Sequence, residues 1–326
     1  MKKILALLLA LWIPAAVLSG CAPQDDSAAS NKLNIVTTIF PAYDWVREIL
    51  GAETDRAEIT MLLDSGVDLH SYQPTVDDIV KISDCDLFLY VGGESDGWVE
   101  DALKNAPNKD RKVIRLLDVL GDSAKAEETV AGMQEEEHDH EEEAEYDEHI
   151  WLSLKNAQVL VAAISEALQE TDPARKDTYA ANAAAYVEKL SALDGEYRAA
   201  VDSGKYKTLL FGDRFPFRYL ADDYGLDYYA AFPGCSAETE ASFETVSFLA
   251  GKMDALGLPC VLTIEGTQHK IAETIVQNTA QKNQQVLTMD SMQAVTANDA
   301  ASGVSYLSIM EKNLSVLKKA LGQEAE

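Results

Sequence analysis

Residues 173–201, PARKDTYAANAAAYVEKLSALDGEYRAAV, set the architecture of the whole chain. Asp172 and Pro173 read as an N-cap followed by proline at the first helical position, where the missing N–H is no loss. A helix running from there to about residue 201 is more than about 40 Å long at ~1.5 Å per residue. One small lobe does not need such a length, so the segment is predicted to be a rigid strut over 173–203 that joins two lobes.

Both flanks carry the same grammar. Before it, β-rich runs at 33–39, 57–63, 87–92 and 112–117 alternate with helix-period stretches at 42–50, 75–82 and 97–105. Thr75 and Asp78 are spaced as a capping box directly after Pro74. A helix over 154–170 places Val159, Leu160, Ala163, Ile164 and Leu168 on one face. After Gly204 come strands at 208–212, 227–232, 260–265 and 285–289, with helices at 215–224, 242–256, 271–280 and 305–321. Strand–helix alternation argues for parallel sheets. The expected fold is therefore α/β: two parallel-sheet lobes, 33–172 and 204–322, joined by one long helix.

The opening MKKILALLLALWIPAAVLSGC has two lysines and then an apolar run of fifteen residues from Ile4 to Leu18. That run is shorter than the ~20 residues of a spanning helix and sits where an export signal sits. Leu18-Ser19-Gly20-Cys21 resembles the lipobox of bacterial lipoproteins. By that resemblance residues 1–20 are a signal peptide, Cys21 carries the lipid and 21–32 are a tether. The protein is then expected outside the cytoplasm, anchored to the cell membrane of a bacterium.

Net charge is −28, from 55 acidic and 27 basic residues. Binding of nucleic acid or anionic lipid through charge is excluded, since both need basic patches, and cations are the favoured partners. Besides Cys21 there are Cys85, Cys235 and Cys260. This odd number leaves a thiol unpaired, and no CxxC offers a zinc ribbon or thioredoxin-type site. Residues 122–148 are low in complexity and acidic, and 135–148 hold ten carboxylates with His138 and His140. They read as a solvated loop and weak cation trap, ending at His149 beside the apolar Ile150-Trp151-Leu152.

Open parallel sheets bind ligands beyond the carboxyl ends of their strands. His70 follows the second run, Asp213 follows 208–212, Glu265 closes 260–265, Asp290 follows 285–289, and His149 precedes a helix. Each alone is an ordinary turn residue. Jointly they offer imidazoles from one lobe and carboxylates from the other, a ligand set for zinc or manganese. Cys235 in FPGCSAE lies at the same rim, and zinc accepts thiolate. Cys260, at the start of its strand, lies at the far edge. His269 reads as a surface residue.

His70-Ser71-Tyr72-Gln73-Pro74 and Asp147-Glu148-His149-Ile150-Trp151-Leu152-Ser153 resemble the two histidine motifs of the zinc- and manganese-uptake solute-binding proteins of metal ABC transporters. The segments around Glu265 and Asp290 are also similar, and the likeness covers residues 32–321. It implies one divalent ion held between two lobes, with His70, His149 and Asp290 inheriting ligand roles. It also implies a monomer that serves a permease and its ATPase subunit. One departure stands out. The family places a third ligand where this chain has Arg214, and a guanidinium cannot ligate a cation. Asp213, Glu265 or Cys235 is left to take that role, Asp213 first, with Arg214 pairing to Glu265 or Glu240. The rival readings are a surface adhesin or metal-storage lipoprotein and a zinc hydrolase. The hydrolase lacks HExxH and a glutamate placed as base.

Overall fold

The computed structural model describes residues 32–104, 106–134, 145–236, 240–266 and 269–323. The leader with Cys21, and His138 and His140, lie outside the described residues. Four parallel strands, β1 (Leu33–Thr37), β2 (Ala57–Met61), β3 (Leu87–Tyr90) and β4 (Lys112–Arg115), form one sheet in the order β2-β1-β3-β4. A second sheet of β5 (Thr208–Phe215), β6 (Asp227–Pro233), β7 (Cys260–Thr263) and β8 (Gln285–Thr288) has the order β6-β5-β7-β8. The two orders are the same pattern. In each, the strand succession reverses direction beside the first strand, which is where open sheets bind ligands. The interior strands LFLY and CVLT are almost wholly buried, as parallel strands covered by helices on both faces must be.

Most strands stop one or two residues short of their expected ends, because the sheet ladder breaks where the chain turns toward the groove. β5 does the opposite. It runs on to Phe215, and its helix starts only at Arg218 rather than 215. Between the Phe211↔Ala230 and Arg214↔Phe232 pairs it carries one extra residue, a β-bulge at Gly212–Asp213.

The joining helix begins as a single 3-10 turn, Pro173–Arg175, and continues as the α-helix Lys176–Ser203. Asp172 caps no backbone N–H with its side chain. It accepts instead from Arg175 Nη1 at 2.9 Å and from the Tyr179 hydroxyl at 3.0 Å. Tyr179, Ala183, Tyr186, Leu190, Leu193, Tyr197 and Ala200 are buried, at alternating spacings of four and three. That spacing keeps one stripe pointed at neighbours along the full length. The neighbours are the helices Leu154–Thr171, Phe40–Leu50 and Tyr306–Ala320. The first of these buries Ala157, Leu160, Val161, Ile164 and Leu168, leaving Val159, expected inside, 49% exposed.

One hydrophobic cluster therefore runs from Ile35 in the first sheet through Tyr186 and Leu190 to Leu262 and Leu317, and residues 33–326 form one compact unit. The lobes also touch at the groove rim. Ala297 N–H donates to Asp64 O at 2.7 Å, Ser65 bridges Thr296, and Trp151 Nε1 donates to Ser291 O at 2.9 Å. Asp44, buried in the helix Phe40–Leu50, accepts from the Tyr306 backbone N–H at 2.8 Å, pinning the last helix to the first.

Burial pushes the Asp44 carboxyl up to about 6, with the Tyr306 N–H opposing in part. Its native pKa thus exceeds the unfolded value. The stability it contributes is complete below about 4 and is lost as pH rises through about 6. Asp44→Asn keeps an acceptor without the charge. Between pH 5 and 8 the wild type is expected to lose about 1.5 kcal/mol relative to this variant, read from urea midpoints; parallel pH profiles would contradict the assignment.

Candidate metal centre

His70 sits in a 3-10 turn, Leu69–Ser71, that leaves β2. Asp68, two residues earlier, accepts from the His70 backbone N–H at 3.0 Å. His149 repeats the device: Asp147, again two residues earlier, accepts from the His149 N–H at 2.8 Å. Each aspartate closes a local turn that fixes the direction of its histidine. The His149 segment is the more deeply set, with Asp147, Glu148 and His149 between 0% and 2% exposed. It is held from the second lobe, where the Tyr219 hydroxyl donates to Asp147 O at 3.0 Å and the Ser153 hydroxyl to Asp223 at 2.5 Å.

The rings meet at their Nε2 atoms, 3.2 Å apart. Two nitrogens bound tetrahedrally to one zinc at 2.0–2.1 Å stand about 3.4 Å apart, so the pair is nearly at chelating separation. The opposite nitrogens are engaged. His149 Nδ1 lies 3.0 Å from Asp147 Oδ1. His70 Nδ1 lies 2.9 Å from the Ser95 hydroxyl and 3.4 Å from Glu148 Oε2. Carboxylates behind metal-ligating imidazoles fix the tautomer and raise the basicity of the free nitrogen. Burial, and then the neighbouring His149, push His70 down to about 3, so its ring is uncharged at neutral pH. Burial raises Glu148, and its Oε2 has no hydrogen-bond partner. The space for that carboxylate exists because residue 93 is glycine: a Cβ there would fall 1.9 Å from Glu148 Oε1.

Cys235 completes the group. Among the described residues, one set of three metal-competent side chains converges, and it is His70, His149 and Cys235, with donor atoms within 4.8 Å of one another. Cys235 follows β6, and its backbone N–H donates to Glu127 Oε1 at 2.8 Å. Gly234 lets the loop approach, since a Cβ at that position would sit 3.2 Å from the His149 ring. Burial, then the acids Glu127, Asp147 and Glu148, push the thiol well above its ordinary value. A metal must therefore displace a proton to gain the thiolate.

The expected carboxylate ligands do not join this group. The bulge turns Asp213 back onto the sheet, where its oxygens accept from Arg214 N–H at 2.9 Å and Ile264 N–H at 3.3 Å. Burial raises its pKa. Glu265 is consumed by the loop after β8, accepting from Ser291 N–H, Ser291 hydroxyl and Gln293 N–H at 2.6, 2.7 and 3.0 Å. Asp290 accepts from Met292 N–H at 2.8 Å, and burial next to Glu265 pushes it up to about 6. Arg214 pairs with neither Glu265 nor Glu240 but with Asp68, at 2.5 Å. His269, expected on the surface, is half-buried with Nδ1 unpartnered. The acidic segment is not all solvated loop either: Gln134 N–H donates to Ala231 O at 2.9 Å and Glu128 pairs with Arg218 at 3.3 Å, laying 126–134 along the second lobe. Sequence reasoning alone misses Asp68, Ser95, Asp147 and Glu148 as site residues. The repeated Asp-x-His spacing at 68–70 and 147–149 was the available signal.

Matching lobes on a stiff helix, with buried imidazoles facing one another in the groove, define a metal-receptor type of solute-binding protein. The chain belongs to the zinc-uptake complex component A, periplasmic, family, whose model matches residues 35–320. It is 34% identical over 329 residues to the zinc-binding lipoprotein AdcA of Streptococcus pneumoniae, covering 99% of this chain but 62% of that protein. The chain thus spans less than two thirds of the AdcA relatives. It is 28% identical over 297 residues to the high-affinity zinc uptake system protein ZnuA of Bacillus subtilis, covering 89% of this chain and 88% of that one. The Zn(II)-bound ZnuA-like domain of Streptococcus pneumoniae AdcA superposes with a TM-score of 0.70 at 30% identity, over 90% of this chain and 100% of that domain.

Asp147→Asn removes the charge behind His149 and keeps an acceptor for its backbone N–H. It is expected to weaken divalent-ion affinity by about 10–100-fold without a matching loss of fold. Chelator competition beside a thermal melt checks this; unchanged affinity would remove Asp147 from the centre.

Proposed function

We propose that this protein is the extracytoplasmic receptor of a divalent-metal importer. It captures one zinc ion in the groove through His70, His149 and Cys235, and passes it to a membrane permease driven by an ATPase subunit. The observation that supports this most is the convergence of two imidazole nitrogens with a thiol from the opposite lobe. Two imidazoles and a thiolate are borderline-to-soft ligands, which favours zinc over manganese. Three protein donors leave a fourth coordination position for water or for a donor on the receiving protein. The family relationship to zinc-uptake components supports a receptor that carries its ion unchanged, and Cys21 supplies the proposed lipid anchor that keeps it beside the permease.

Storage in a surface lipoprotein predicts many ions per chain, whereas reception predicts one tight ion plus weak binding by the acidic loop. Calorimetric zinc titration of the intact protein and of a 134–146 deletion separates them. One tight ion surviving the deletion is expected; its disappearance, or several equivalent ions, would overturn the reading.

The thiol gives a second readout. With Cys235 protonated before binding, zinc uptake at pH 7 is expected to release about one proton, seen as a dependence of the heat on buffer ionisation enthalpy. Cys235→Ser is expected to abolish that dependence and weaken the site. If the variant binds as tightly, with the same proton release, Cys235 is not a ligand.

A further inference from the structure

Arg214 occupies the position where the family resemblance calls for a metal ligand, and its side chain reaches both sides of the groove. Nη2 lies 2.5 Å from Asp68 Oδ2, and Nη1 donates to Ser236 O at 3.3 Å. The other oxygen of Asp68 accepts from the backbone N–H of His70. Ser236 is the residue after Cys235. One guanidinium therefore holds two turns, one carrying a histidine from the first lobe and one carrying the thiol from the second.

The root of Arg214 is equally fixed. It sits on the β5 bulge, and Asp213 ties that bulge to β7 by accepting from Arg214 N–H and Ile264 N–H. The ion pair is largely shielded, with Arg214 17% and Asp68 23% exposed, and burial, which alone would raise Asp68, is outweighed by the guanidinium. A planar fork presents separate donors in fixed directions to a carboxylate and a carbonyl together; a compact ammonium on a flexible stem holds two such acceptors in no fixed geometry.

The geometry points to Arg214 as a positioning residue, a two-armed latch that sets the separation of His70 and Cys235 and so holds the ion in the groove. This rests on the zinc-receptor reading above. Its physics opposes simple charge: a cation beside a cation site lowers affinity by repulsion. If Arg214 acted only through charge, removing it would tighten zinc binding. If it acts as a latch, removal loosens the site even though a repulsive charge has gone.

The test compares wild type, Arg214→Ala, Arg214→Lys, Asp68→Asn and the Arg214→Ala/Asp68→Asn double variant. Zinc affinity is read by chelator competition, release by stopped flow, and thiolate ligation from the charge-transfer absorption of the cobalt(II)-loaded protein. Asp68→Asn keeps an acceptor for the His70 N–H and removes the ion pair. Arg214→Ala and Asp68→Asn are each expected to weaken zinc by about 10–100-fold, chiefly through faster release. The double variant should be no worse than the poorer single, as for residues acting as a unit. The cobalt–thiolate band should diminish in Arg214→Ala, and Arg214→Lys should recover only part of the loss. Equal or tighter zinc binding in Arg214→Ala, additive losses, or an unchanged cobalt spectrum would each overturn the latch. Melts of the zinc-free variants control for folding, and Asp68→Asn carries the test if Arg214→Ala is unstable. A wild type that binds no zinc sinks the receptor reading and the latch together; a binding wild type with indifferent variants sinks the latch alone.

Discussion

Two imidazole nitrogens facing one another across 3.2 Å in a buried groove are the constraint on which the site depends. Each Nδ1 has a partner on its far side, Asp147 for His149 and the Ser95 hydroxyl for His70, so the two Nε2 atoms face one gap. A hydrogen bond between the rings needs one Nε2 to carry a proton, and the Ser95 hydroxyl allows this on His70 by donating to its Nδ1. The protein sustains the arrangement because His149 is locked between lobes while His70 rides a short turn closed by Asp68.

The same constraint explains what surrounds it. Buried acids are costly unless paired or hydrogen-bonded. Here Asp147 serves the backbone and ring of His149, and Glu148 accepts from Ser95 N–H. Glycines at 93 and 234 are required by space, since side chains there would collide with Glu148 and crowd the His149 ring. The groove is thus built from residues whose first duty is to hold two rings still.

Much of this was legible from residues alone. Strand–helix alternation gave two sheets, the uninterrupted 173–201 segment gave the joining helix, and the paired histidine motifs located the groove. What could not be read was which third side chain packs beside the two rings. Asp213 is one residue from Arg214 at the family's ligand position, but the extra residue in β5 turns its carboxylate onto Ile264. Glu265 was plausible until the loop after β8 claimed its oxygens. Cys235 was visible as an isolated residue in a loop, and only tertiary packing against His149 distinguishes it from Cys85 and Cys260, which are buried elsewhere. Val159 failed for a simpler reason: two apolar stripes one residue apart fit the helix almost equally, and the neighbouring helix selects between them.

For the receptor proposed above, the continuous apolar seam along the joining helix limits how the molecule could show that it carries its ion. A body with its halves welded through one core lacks the freedom for a wide clamshell swing. Any outward sign of cargo must be engraved in small displacements of the turns around the groove, above all those bearing His70 and Cys235. Discrimination by the proposed membrane partner would then be a matter of fine surface relief rather than of gross shape.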